Sequence, residues 1–495
     1  MSRIQIQKLT FGYEGSYDNV FEDVSFTIDT DWKLGFIGRN GRGKTTFLQL
    51  LMGKYNYRGS ITASVDFSYF PYTISDTAQL TVDVAQEVNA ETQLWQLKRE
   101  LAQLGVSEEV LYRPFDTLSN GEQTKVMLAI LFLRENGFLL IDEPTNHLDS
   151  EARQAVSAYL NRKHGFILVS HDRVFLDACV DHILSINRAD ITLQRGNFSS
   201  WWENKNQRDQ FETEENERLK KDMKRLEQAA QRTSSWSDSL EKTKFGAKNA
   251  GLRPDRGYIG HKSAKLMKRA KNIEARREAA LQQKSALLKN KEEAEELKIT
   301  TLSHHSAVLA ELRDISIRYG TRSICSDVQL VIRPGERIAL CGKNGSGKSS
   351  LLKLIRGETI AHSGYIHLAS GITLSYVPQD TSFLAGDLTR FASERELDVS
   401  LFKAILRKLD FSRTQFDKDM HDFSAGQKKK VLVAASLCKP VHLYLWDEPL
   451  NYIDIFSRMQ IEQMLLTYRP TMLFVEHDQA FIDKIATQTV VLPPK

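Results

Sequence analysis

At 495 residues, 41% hydrophobic and 26% charged, the chain has the make-up of a globular protein of two or three domains. Its net charge of +4 is unevenly placed: Lys242 to Lys271 holds ten Lys or Arg against one acid, Asp255, which leaves the remainder net acidic. The longest apolar run, about Met127 to Leu133, is far short of a membrane span, and Cys179, Cys325, Cys341 and Cys438 show neither a C-x-x-C pair nor a metal-ligand spacing, so membrane, disulfide and zinc classes are set aside.

In chain order, MSRIQIQKLTFGY alternates apolar and polar residues like a strand and lacks a signal-peptide core, which predicts a cytoplasmic protein with no membrane partner. The apolar segment LGFIG then leads into GRNGRGKTT at Gly38 and the helical pattern FLQLLMG. Strand, loop and helix around G-x-x-x-x-G-K-[ST] are the context of a P-loop. Gly38, Asn40, Gly41 and Gly43 would let backbone amides wrap the phosphates of ATP, with the helix dipole adding to the attraction. Lys44 is expected to reach the β and γ phosphates, Thr45 to hold Mg²⁺, and Thr46 to complete the loop.

LSNGEQ follows at Leu118, and GFLLID then reads as a short parallel strand buried on both faces. It ends in Asp142, a metal-side carboxylate, and Glu143, the catalytic one. SHD at Ser170 puts His171 after a further strand. Alone, an Asp-Glu pair is more often a solvated loop and a single His more often structural; the spacing from the P-loop argues otherwise.

The stretch from about Trp201 to Lys298 is polar and rich in helix formers. Leu219, Met223, Leu226 and Ala230 step by four, three and four, while Leu266, Ile273, Ala280, Leu287 and Ala294 step by seven. Two narrow stripes predict an antiparallel helical hairpin of coiled-coil type, with arms of roughly 35 to 40 residues reaching on the order of 50 to 60 Å. Gly246, Gly251, Pro254, Gly257 and Gly260 mark its turn, inside the basic segment at about 242–271. The bland reading is a solvated linker. It leaves unexplained why acids nearly vanish where like charges crowd together, whereas a polyanion would explain it. Phe245, Tyr258 and His261 offer stacking surfaces for unpaired RNA bases.

The first pattern then returns. GKNGSGKSS begins at Gly342, FSAGQK at Phe423, YLWDEP at Tyr444 and EHD at Glu476, all offset by 304 to 306 residues. The second set of nucleotide contacts is therefore Gly342, Asn344, Gly345, Gly347, Lys348, Ser349 and Ser350, with Ser349 and Asp447 toward Mg²⁺ and Glu448 catalytic. The chain is a tandem duplication with an insertion: 1–200, a linker at 201–300, and 301–495.

On these motifs the chain resembles tandem ATP-binding-cassette proteins, which implies an α/β fold of two P-loop cassettes joined by the helical hairpin. The resemblance implies that Tyr13 and Tyr319 stack on adenine. It further implies that Ser119 with Gly121, and Ser424 with Gly426, form signature loops touching the γ phosphate held by the opposite cassette, and that His171 and His477 are switch histidines. Two signatures in one chain imply a monomer that closes an intramolecular sandwich on ATP, an Mg²⁺-dependent ATPase acting as a clamp. SYVPQD supplies the expected glutamine at Gln379, directed at Mg²⁺, whereas SYFPYT puts Tyr72 there; EPTNHLD becomes EPLNYID, with Leu450 and Tyr452 for Thr145 and His147. Two unequal sites are expected.

The whole arrangement resembles the ABC-F family, in particular its antibiotic-resistance branch of Lsa type, on EPLNYID, the lack of a long insertion in the first cassette, and the tip KNAGLRPDRGYIGHK. That resemblance implies docking of the ATP-bound form in the E site of the 70S ribosome, beside P-site tRNA. Lys244, Phe245, Lys248, Arg253, Arg256, Tyr258, His261 and Lys262 would then approach 23S rRNA near the peptidyl-transferase centre. Lincosamides, pleuromutilins and streptogramin A would be displaced, and hydrolysis would release the clamp. A general translation factor of the same fold, a transporter's ATPase component and a DNA-repair ATPase are the alternatives. The last usually carries zinc cysteines or longer coiled coils, which this chain lacks.

Overall fold

The computed structural model describes residues 2–14, 19–146, 148–186, 191–243, 261–279 apart from 263, 266, 270 and 277, and 297–492 apart from 321 and 344. Contacts divide the chain into two units. One contains both copies of the repeated pattern, Met1–Ile186, Ile191–Ser199 and Ala294–Lys495; the other contains Asn187–Asp190 and Ser200–Glu293.

In the first copy a six-stranded sheet runs Asp66–Phe70, Gly137–Asp142, Phe166–Val169, Lys33–Ile37, His182–Ile186, Ile191–Arg195, and only its last pairing is antiparallel. Beside it, Arg3–Phe11 pairs antiparallel with Phe21–Asp29 and Arg58–Thr62. The second copy repeats this with a parallel sheet of Leu374–Val377, Leu443–Asp447, Met472–Val475, Arg337–Cys341 and Gln488–Val491. Its antiparallel companion is Ala310–Tyr319 between Arg322–Ile332 and His362–Leu368.

Continuous apolar runs produce this burial: every residue of Phe166–Val169, Met472–Val475 and Leu443–Asp447 is buried, as sheets covered on both faces require. Parallel register then does the positioning. Asp142 pairs with Val169, and Val169 with Phe36, so the chain leaves all three strands at one edge. The P-loop, the Asp-Glu pair and the Ser-His pair, far apart in sequence, therefore converge there. The cysteines are free thiols, and burial pushes those of Cys179 and Cys438 up to about 12.

The segment between the copies begins with a helix at Phe198–Thr243. Its 46 residues make it about 70 Å long, longer than the predicted arm. The helix starts three residues before the expected Trp201 because Phe198 and Trp201 are both buried and Ser199 is held by the Asp177 carboxylate through its N–H and hydroxyl. Leu219 is buried and Met223 and Leu226 are half-buried, three of the four residues of the expected stripe; the side chain of the fourth, Ala230, lies outside those described. Helix recurs among the described residues of 261–279, where Ile273 is half-buried and His261 and Lys262 are exposed. Lys244, Phe245, Lys248, Arg253, Arg256 and Tyr258, with Leu266, Ala280, Leu287, Ala294 and the glycines of the expected turn, lie outside the described residues.

Candidate functional site

Each P-loop is shaped by glycines in the left-handed region. Gly41 and Gly43 have φ of 80° and 93°, and Gly345 and Gly347 repeat these values. A Cβ on Gly43 would stand 2.5 Å from Val20, and one on Gly347 2.9 Å from Ile324, so space as well as φ demands glycine. Gly342, at φ 147°, lies against Ser346 and the Leu492 carbonyl. The helices Lys44–Leu51 and Lys348–Arg356 follow directly and aim their free N–H groups into the loops. Lys44 Nζ donates to the carbonyls of Gly38 at 2.6 Å and Arg39 at 3.2 Å and to Asn40 Oδ1 at 3.3 Å; Lys348 Nζ donates to Gly342 and Lys343 carbonyls at 2.8 and 3.0 Å. Burial lowers the pKa of both lysines, opposed in Lys44 first by Asp454 and in Lys348 first by Glu448. Asn344 lies outside the described residues.

Thr45 donates to Asp142 Oδ2 at 2.9 Å, so the two residues expected at the metal meet. Asp447 is buried, and among the described residues neither of its carboxylate oxygens accepts a hydrogen bond; burial raises its pKa and the nearby Ser349 hydroxyl opposes that rise. These hydroxyl and carboxylate oxygens are the hard donors that Mg²⁺ prefers. Tyr13 is 44% exposed and shares a 2.7 Å hydrogen bond with Thr46, while Tyr319, 50% exposed, donates to Ser350 at 3.3 Å, leaving ring faces at the mouth of each loop.

Both glutamates after the aspartates sit at positive φ, 51° for Glu143 and 48° for Glu448. Their N–H groups donate to the carbonyls of Val169 and Val475 at 2.9 and 3.0 Å, which fixes this uncommon backbone in both copies. Each faces its histidine: His171 Nε2 is 3.2 Å from Glu143, and His477 Nε2 3.4 Å from Glu448.

Beyond this the copies differ. Glu448 accepts from Gln379 at 2.9 Å and Asn451 at 2.6 Å. Burial pushes its pKa up, but His477, Gln379 and Lys429 outweigh that and hold it below the usual carboxylate range. No side-chain amide donates to Glu143 among the described residues. Burial, with the Asp142 charge next, pushes its pKa up to about 8, and burial beside Lys44 and Arg458 holds His171 well below its ordinary value. Among the described residues the buried Tyr72 hydroxyl has no hydrogen-bond partner, and the charge it feels is that of Arg134. Instead Tyr69, three residues earlier and inside the strand Asp66–Phe70, donates to Asp142 at 2.9 Å. Sequence reasoning missed Tyr69 and Asn451, although both recur in the duplication, as Tyr376 and Asn146.

The signature serines cap helices. Ser119 and Glu122 form a capping box at the start of Asn120–Leu131, and Ser424 and Gln427 repeat it before Ala425–Cys438. A cavity of about 910 Å³ is lined by Ser119 and Gly121 of the first copy and by Lys348, Ser349, Gln379 and Glu448 of the second. At the reciprocal junction Asn40 donates to the Tyr452 carbonyl at 2.8 Å, and Gly426 is so close that a Cβ would stand 2.3 Å from that oxygen. Each P-loop thus faces the other copy's signature, one across open space and one in contact. Charge pairs add to the junction: Lys343 with Glu151 at 2.9 Å, and Arg173 with Glu462.

Fold and paired sites define an ATPase with two ATP-binding cassettes in one chain. The family described as ABC transporter matches residues 21–146 and 325–451, more than half of the chain, and the chain belongs to it. The ribosome protection protein VmlR of Bacillus subtilis is 27% identical over 97% of this chain and 85% of its own length. The probable ATP-binding protein YheS of Escherichia coli is 29% identical over 93% of this chain and 74% of its own. Among solved structures, archaeal ribosome recycling factor aABCE1, in complex with stalk protein aP1, covers 99% of this chain and 88% of its own at TM-score 0.62 and 18% identity, a likeness of fold. Among the described residues no helix is long and apolar enough to cross a membrane.

Proposed function

We propose that this ATPase is a cytoplasmic, ribosome-associated clamp of the drug-protection kind. The observation that carries the reading is the head-to-tail junction inside one chain, with the first copy's Ser119 and Gly121 facing the second's Lys348 and Glu448 across a cavity of nucleotide size. ATP would bridge the copies and join them, and hydrolysis would part them. The relative named a ribosome protection protein, alike along almost the whole chain, supports the ribosome as partner.

Glu448, ionised and steadied by Gln379 and His477, would orient water at the second site; Glu143 would do so at the first. Thr45 with Asp142, and Ser349 with Asp447 and Gln379, would hold Mg²⁺, which when bound offsets phosphate charge. Tyr13 and Tyr319 would stack on adenine. The ATP-bound form would occupy the E site, and the basic segment at 242–271 would reach toward 23S rRNA at the peptidyl-transferase centre beside P-site tRNA, displacing lincosamides, pleuromutilins and streptogramin A.

The test is the inhibitory concentration of lincomycin, tiamulin and a streptogramin A in a susceptible Gram-positive host with and without this gene, beside chloramphenicol. A selective rise for the first three is expected. No rise, with the protein expressed and on ribosomes, would instead favour a general translation factor.

A further inference from the structure

Arg153, on the helix Ser150–Asn161, is half-buried and uses its guanidinium in three directions. Its Nε donates to the Leu148 carbonyl at 3.1 Å, and one terminal nitrogen donates to Asp172 Oδ2 at 3.1 Å and to the carbonyl of His477, in the other cassette, at 3.0 Å. Asp172 follows His171 and caps the next helix by accepting from the Phe175 N–H at 3.0 Å. One side chain therefore touches the segments carrying both switch histidines, each within 3.4 Å of its glutamate.

The duplication supplies an internal comparison. Arg458 occupies the matching position and repeats the contacts within its own cassette, to the Ile453 carbonyl at 2.8 Å and Asp478 at 3.2 Å. Among the described residues it forms no counterpart bond to the His171 carbonyl. The capping contacts are thus the shared, structural task. Of the two arginines, only Arg153 makes a hydrogen bond across the junction among the described residues, and it enters the second site at the histidine beside the better-organised glutamate.

We propose that Arg153 is a positioning residue that couples the two ATP sites, transmitting the state of the Glu143 site to His477 and so to Glu448. This rests on reading Glu143 and Glu448 as the catalytic carboxylates. A planar, permanently charged fork suits the task, because it holds three acceptors in fixed relation, so movement of the Asp172 segment displaces the His477 backbone.

The experiment compares ATP turnover of the full chain with that of Glu143→Gln and Glu448→Gln, each in the parent and in an Arg153→Gln background. Independent sites make the full rate equal the sum of the two single-site rates. The parent is expected to exceed that sum at least about fivefold, a typical coupling, and Arg153→Gln to bring the rate down to the sum with KM within about twofold. A parent rate already equal to the sum, or an excess that survives Arg153→Gln, overturns the proposal. If neither glutamate variant lowers turnover, the carboxylate assignment fails and the proposal falls with it. Should Arg153→Gln melt early, Arg153→Lys, which keeps the charge without the fork, is judged by the same sum.

Discussion

The side-chain amide of Gln379 donates to Glu448 at 2.9 Å, whereas Tyr72, at the matching place in the first cassette, buries its hydroxyl without a partner among the described residues. His477 and, after it, the amide hold one carboxylate ionised and aimed; the tyrosine leaves the other to burial and the neighbouring Asp142. Unequal turnover follows. Glu448→Gln is expected to lower kcat by about 10² or more, the usual worth of a positioned base, while Glu143→Gln lowers it by less, about five- to tenfold. Equal losses in an ATPase assay would contradict the asymmetry.

Gly426 and Gly121 occupy matching signature positions with different surroundings. A Cβ at 426 would meet the Tyr452 carbonyl at 2.3 Å and Asn40 at 2.9 Å, whereas at 121 the nearest atom is Leu148 Cδ2 at 3.7 Å. Without nucleotide, Gly426→Ala should destabilise by about 1–3 kcal/mol as overpacking does, and Gly121→Ala should be neutral or gain about 0.5 kcal/mol from helix propensity. Thermal melts of the two variants decide this.

Lys430 and Asp454 form a buried ion pair at 2.8 Å, with Lys430 also donating to the Leu409 carbonyl at 2.7 Å. Burial opposes the Asp454 charge, but Lys430 and the Ser457 N–H hold its carboxyl far below the usual range. Lys430→Met strands that carboxylate and should cost about 3–5 kcal/mol by chemical denaturation, whereas replacing both partners with apolar residues should cost clearly less.

Glu476 stands where the first cassette has Ser170, and its buried carboxylate accepts the Leu450 N–H at 2.8 Å. Burial raises its pKa from 4.5 to about 6, against the pull of Arg458. A carboxyl raised on folding binds more protons folded than unfolded, so its penalty is absent below pH 4.5, grows through about 6 and is complete above. Relative to Glu476→Gln, the parent should therefore lose about 2 kcal/mol as pH rises through that window. The slope of the melting difference with pH is the readout; a flat difference would refute it.

Much of this protein is written along the chain. The duplication, the P-loops and the strands that precede them follow from glycine spacing and apolar runs, because a loop that wraps phosphate and a strand buried on both faces each impose local residue types. Alternation and helical spacing likewise mark Arg3–Phe11 and the stripe at Leu219, Met223 and Leu226. What only the tertiary structure decided is which distant groups meet. Asn40 and Tyr452 are 412 residues apart, and Arg153 and His477 are 324 apart; neither pair has a spacing rule, since their contact is set by how two sheets dock. Tyr69 rather than Tyr72 reaches Asp142 because strand register, not motif position, aims its side chain. The sequence by itself determined two P-loops of differing make-up, and the packing decided that one stands open to the other copy's signature, the other is closed by contact, and Arg153 bonds across the junction to the His477 carbonyl.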